Sequence, residues 1–154
     1  MLLDGVNHVA IITSDTDRLH AFYREVFDAT ISRDGPAGPG QRLSFIDIGP
    51  HTELNVFEML DDDAPQAHTP MFGRGPIDHL GLHAASIDAF DTIRQRLIER
   101  GSTDGFVTDF GPILSLFFVD PDGLEGEVCV ANPDAKPGVL NPPGTKAQGY
   151  ARVR

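Results

Sequence analysis

Apolar and polar positions along this chain change period in a fixed order, and that order occurs twice. Residues 6–13 are rich in β-branched side chains and predict a buried strand. Ser14 or Asp15 then offers an N-cap, and over 16–27 Leu19, Phe22, Tyr23 and Val26 fall on one helical stripe. Residues 30–33 predict a short strand. The run 34–40, dense in glycine and proline, predicts a loop, and 42–48 and 53–59 predict two more strands. The succession then returns. A strand over 77–84 precedes a helix capped by Ser86, running through Arg100 and stopped by Gly101. A weak strand falls within 102–108 and a strong one spans 113–119. Asp120-Pro121-Asp122-Gly123 makes a tight turn, and 125–130 closes the pattern.

The repetition is one of residues as well as elements. Asn7-His8-Val9-Ala10-Ile11 returns as Asp78-His79-Leu80-Gly81-Leu82, an offset of 71 residues between His8 and His79. The same offset carries Leu19 onto Phe90, Phe22 onto Ile93 and Val26 onto Leu97. The expected organisation is α+β: a β-α-β-β-β module over 1–60, a polar linker over 61–75, and a second module over 76–132. A proline-rich tail follows over 133–154, expected to be disordered or wrapped on a partner subunit.

Strand parity then locates candidate chemistry. Val9 and Ile11 would pack under the first helix, which leaves His8 and Ala10 on the opposite, concave face of the sheet. The same parity groups His79, Gly81 and His83, and the small residues Ala10 and Gly81 leave room for a pocket. On the closing strands, Glu125, Glu127 and Cys129 share one face, and Glu53, Asn55 and Phe57 share the corresponding one. A mid-strand carboxylate such as Glu127 is expensive unless paired or bound to a metal. Superimposing the turns before these strands sets Asn55 opposite Glu127, with Glu53 two residues away at the same parity.

Composition narrows the class of function. With 23 acidic against 12 basic residues and a net charge of −11, the surface repels phosphate backbones and anionic lipid. The lone Cys129 excludes intrachain disulfides and cysteine zinc sites; it is expected to be a small buried hydrophobe. No signal peptide or membrane-length apolar run is apparent, so the expectation is a soluble cytoplasmic protein with neither nucleic-acid nor membrane partners. The triplet Asp61-Asp62-Asp63 is expected to be solvated, and Arg33 and Arg42 could flank the cavity side.

The paired modules, the opening Asn-His-Val-Ala-Ile and the closing Asp-Pro-Asp-Gly with Glu127-Val128 resemble the vicinal oxygen chelate superfamily. It includes glyoxalases, extradiol dioxygenases and bleomycin-resistance proteins. The resemblance covers about residues 5–131. It implies two curved mixed sheets around a shared cavity, with a divalent ion (Fe, Mn, Zn or Ni) held between modules. Carried over by position, His8, His79 and Glu127 are the ligands, and Asn55, or Glu53, stands where a fourth ligand is expected. His83 is a candidate acid or base, and Ala10, Phe57, Gly81 and Phe117 line the pocket. The implied function is a metal-dependent dioxygenase or lyase/isomerase acting on a small substrate with vicinal oxygens, as a homodimer. The alternative is a metal-free protein that sequesters a small molecule, favoured by Asn55 in place of a carboxylate.

Overall fold

The helix signals in the sequence correspond to physical caps. Asp15 accepts a hydrogen bond from the Arg18 N–H at 2.9 Å and opens α1 (Thr16–Phe27), and Asp28 closes it in a left-handed conformation with φ 55°. Ser86 accepts from the Ala89 N–H at 3.1 Å to open α2 (Ile87–Glu99), which Arg100 and Gly101 end. The computed structural model describes residues 2, 5–59, 69–71, 73 and 77–152. Of the expected linker over 61–75, all but 69–71 and 73 lie outside the described residues, and so does the expected module boundary at residue 60.

The chain divides into two compact units, Met1–Ala67 and His68–Arg154. In the first, β1 (His8–Thr13), β2 (Thr30–Gly38), β3 (Gln41–Asp47) and β4 (Glu53–Met59) form a sheet in the order β1-β4-β3-β2. In the second, β5 (Leu80–His83), β6 (Val107–Asp109), β7 (Ile113–Val119) and β8 (Glu125–Ala131) form a sheet in the order β5-β8-β7-β6. The opening strand of each unit runs parallel to the closing strand, and the remaining pairs are antiparallel. Each unit is therefore a β-α-β-β-β module with a mixed sheet, as the pattern predicts. Among the described residues no helix is long and apolar enough to cross a membrane.

Each sheet buries one face under its own helix. Leu19, Phe22, Tyr23 and Val26 of α1 are buried with Ile46, Leu54 and Val56; Phe90 and Leu97 of α2 are buried with Leu116, Phe118, Val128 and Val130. Tyr23 is fully buried, hydroxyl included. Truncating a fully buried leucine in either core, such as Leu54 or Leu116, to alanine would cost about 2–5 kcal/mol. Gly126 has a packing role: a Cβ there would collide with the ring of Phe118, which lies against its backbone.

Two expectations are corrected. The run 34–40 is not wholly a loop, because β2 continues through it to Gly38. β2 is an edge strand, which tolerates Pro36 because only one side of its backbone needs partners. Register breaks between Ile31 and Arg33 and between Pro36 and Gly38 absorb the irregularity. The tail is bonded to its own unit. Lys146 bridges Thr108, the Asp109 N–H donates to the Thr145 carbonyl at 2.8 Å, and the Ala147 N–H donates to that of Val107 at 3.0 Å. Ala147 is buried, and Tyr150 sets its ring against Phe90 while its hydroxyl donates to Asp91 at 2.8 Å. The three-residue β6 leaves an open sheet edge, and the tail covers it.

Candidate functional site

The helix-free face of the second sheet carries a polar cluster built around Glu127. In register, Glu127 lies between Gly81 of β5 and Phe117 of β7, so all three share a face. His79 stands one residue ahead of β5 and reaches the same carboxylate, with Nε2 3.2 Å from Oε2. The other imidazole nitrogen, Nδ1, is 2.8 Å from the Asp78 carboxylate. The Phe117 ring meets the His79 ring edge-on at 5.6 Å. The Ser115 hydroxyl donates to the second oxygen of Glu127. Cys129 is half-buried; burial first, then the Glu127 carboxylate, pushes its thiol up to about 12. The partners of Glu127 are thus a histidine and a serine, and among the described residues no arginine pairs with it.

His79 is held as a proton-sharing group. Burial lowers its pKa, but hydrogen bonds to the Asp78 and Glu127 carboxylates together outweigh burial and raise it above the ordinary 6.5. Nε2 and the Glu127 carboxylate lie within hydrogen-bond reach, in the place where an ion could join them. An imidazole nitrogen and a carboxylate oxygen 3.2 Å apart match the span of two ligands each roughly 2.0–2.3 Å from one ion. Asp78 on Nδ1 is the kind of outer partner that orients a ligating histidine. The donor chemistry fits a divalent cation. Among the described residues, no group of three or more His, Cys, Asp or Glu side chains gathers to hold one.

The first unit repeats the layout with different chemistry. Asn55 lies between Ala10 and Phe45 in register, the position that Glu127 holds between Gly81 and Phe117. Its Oδ1 is buried and has no hydrogen-bond partner among the described residues. His8 is exposed, its Nδ1 2.9 Å from Oδ1 of Asn7, and its neighbour across the sheet is Glu53. Phe57 shares the face, flanked by Ile12 and Leu43. His83, exposed, faces Cys129 across the second sheet. Arg42 does not flank this face: it lies on the helix side, held by Asp34 and Asp17 at 2.8 Å and by Glu58 at 3.6 Å. These carboxylates hold the guanidinium protonated, and Arg42 in turn holds Asp17 and Asp34 below the usual carboxylate range.

Sequence reasoning missed three groups. Asp78 was legible in principle, since the repeated motif includes an Asn or Asp before each histidine, and both make the same contact. Ser115 follows from parity with Phe117 on β7 once the register is known. His20, buried with its Nε2 2.8 Å from Ser44 Oγ, had no signal beyond its place beside the apolar stripe. Burial pushes its pKa down.

A duplicated β-α-β-β-β module with a histidine before or at each opening strand, and a carboxylate or amide at mid-height of each closing strand, defines a recognisable class. The chain belongs to the Glyoxalase/Bleomycin resistance protein/Dioxygenase superfamily, whose family model matches residues 5–128. Among solved structures it is similar to a glyoxylase/bleomycin resistance protein/dioxygenase domain from Frankia sp. EAN1pec. That match has 22% identity and a TM-score of 0.68, covering 86% of this chain and 95% of that one. It is also similar to the protein SMU.1112c at 28% identity, TM-score 0.65, covering 82% and 98%. A mutant of the fosfomycin resistance protein FosX from Listeria monocytogenes, complexed with Mn(II) and 1S,2S-dihydroxypropylphosphonic acid, matches at 18% identity and TM-score 0.62, covering 82% and 92%. No curated protein sequence matches the chain.

Proposed function

We propose that this chain is a divalent-metal-dependent enzyme acting on a small organic substrate with vicinal oxygens, by ring-cleaving oxygenation or by lyase/isomerase chemistry. The observation that carries the reading is the contact between His79 Nε2 and the Glu127 carboxylate, backed by Asp78. His8 is the third donor, and Asn55 or Glu53 ligates weakly or orients substrate. Family membership and a relative complexed with Mn(II) support a divalent ion.

A bound ion supplies Lewis-acid stabilisation of negative charge developing on substrate oxygens. The chain's own groups prepare that chemistry. Asp78 fixes the His79 ring so that Nε2 faces Glu127, and the Ser115 hydroxyl holds one carboxylate oxygen so that the other faces His79. Phe117 walls the imidazole on its edge. His83, on the same face of the sheet, is the candidate to take up or return a proton.

The test is metal content by plasma mass spectrometry after anaerobic reconstitution with Fe(II), Mn(II), Zn(II) and Ni(II), beside His79→Ala and His8→Ala. Near-stoichiometric metal lost in both variants supports the reading, and uptake of no metal under any condition overturns it. Asn55 in the register position of Glu127 favours a second reading, a metal-free protein that sequesters a small molecule. Metal-independent ligand binding, with His79→Ala as tight as wild type, would select that one. Assembly as a homodimer belongs to the same proposal and is read by light scattering.

A further inference from the structure

We propose that the helix-free face of the first sheet binds a small planar carboxylate that also bears a hydroxyl, with Arg33 selecting the anion. This rests on the reading above that the face meets substrate, and it extends that reading to the substrate's class. Register brings Ala10, Asn55, Phe45 and Arg33 into one row across the four strands, and Ile12, Phe57, Leu43 and Gly35 into the next. The second row is apolar, and Ile12 is 58% exposed. Such a surface suits a flat, apolar body.

Among the described residues two polar groups on this face have no polar protein partner, and they are of opposite kinds. The buried Asn55 Oδ1 needs a donor. The exposed Arg33 guanidinium lies over the Phe45 ring, 5.3 Å from its centroid, which leaves its in-plane N–H fork free for a carboxylate. Among the described residues Arg33 makes no ion pair, in a chain with 23 acidic residues and 12 basic ones, whereas Arg42 engages three carboxylates. Asn55 on β4 and Arg33 on β2 are two strands apart, about 10 Å at the usual spacing. One ring with a hydroxyl at one end and a carboxylate at the other bridges them past Phe45. Glu53 and Asp47 lie in the row on the far side, beside His8, and their charge turns the carboxylate toward Arg33.

The test is calorimetric titration of the full chain with 4-hydroxybenzoate, its neutral counterpart 4-hydroxybenzyl alcohol, and 4-methoxybenzoate, which has no hydroxyl proton. Wild type is expected to prefer 4-hydroxybenzoate. Arg33→Gln should weaken that ligand about tenfold or more and leave the alcohol unchanged. Arg33→Lys, which keeps charge without the fork, should fall between. Asn55→Leu should erase the preference for hydroxybenzoate over methoxybenzoate. No binding of 4-hydroxybenzoate by wild type, equal binding by Arg33→Gln, or an alcohol as tight as the acid would each overturn the proposal. Running the titrations on chelator-treated and Mn(II)-loaded protein, with metal measured on the same samples, separates the two readings. Metal uptake without an Arg33 effect overturns this one alone; an Arg33 effect without metal uptake supports it and overturns the metal reading.

Discussion

Asn55→Leu should make the protein more stable while impairing its site. The Oδ1 of Asn55 is buried without a hydrogen-bond donor among the described residues, on a face shared with Ala10, Phe45 and Phe57. An unsatisfied buried acceptor costs about 1–3 kcal/mol, because it leaves water and gains nothing in return. Leucine has nearly the same volume, adds no polar atom, and lies beside aromatic neighbours. The substitution should therefore recover about 1–3 kcal/mol, which in a chain of this size raises the unfolding midpoint by about 3–9 °C.

The chain has two tyrosines and no tryptophan, and Tyr23 is buried in the first unit while Tyr150 lies in the second. Near-ultraviolet circular dichroism in a Tyr150→Phe background therefore reports unfolding around Tyr23. Urea titrations of that background with and without Asn55→Leu give the difference directly, provided the slopes agree. A loss of stability of about 1 kcal/mol or more on Asn55→Leu would refute the reasoning, since it would mean the native amide is satisfied.

Removal of the Ser115 hydroxyl by Ser115→Ala frees one oxygen of Glu127, and metal affinity should fall about 10–100-fold with the fold intact, measured by competition with a chelating dye. The raised pKa of His79 fixes the sign of a pH effect. Its contribution to stability is fully present below the ordinary value of 6.5 and is lost as pH rises through the raised, folded value. In chelator, the midpoint difference between wild type and His79→Gln should be larger at low than at high pH; a flat difference would remove the ion pair from the account. Ending the chain before Thr145 uncovers β6 and Ala147's site, so protection of the Asp109 amide, which donates to the Thr145 carbonyl, should drop against hydrogen exchange while the first unit is unchanged.

Much of the fold was legible because local signals and periodicity agreed. Asp15, Ser86 and Gly101 mark helix ends that the structure retains, and the alternation in β1, β4 and β8 separates the helix side of each sheet from the open side correctly. Failures occurred where a tertiary partner decides. Pro36 lies in a strand because that strand is an edge, and the tail is ordered because β6 needs a neighbour. Arg42 was ambiguous because parity alone cannot assign a face until one residue of β3 is anchored; buried Ser44 and Ile46 anchor it to the helix side.

The duplication explains why the candidate site is asymmetric. Both units keep an acidic or amide residue bonded to the following histidine, and both keep a small residue, Ala10 or Gly81, beside the mid-strand polar position. They diverge at that position. Glu127 is engaged two ways, by His79 and Ser115, so its geometry is constrained. Asn55 is satisfied by nothing that the structure describes for its Oδ1, and a neutral acceptor waiting for a donor suits an organic ligand better than an ion. Two copies with identical Glu-type positions would concentrate negative charge and favour ion binding at both. On the proposed reading, an amide in place of one carboxylate keeps the sheet geometry, weakens the first copy's pull on an ion and leaves it an acceptor for an organic ligand. Asn55→Glu tests that division: it should strengthen metal retention and weaken binding of an organic anion in the same protein.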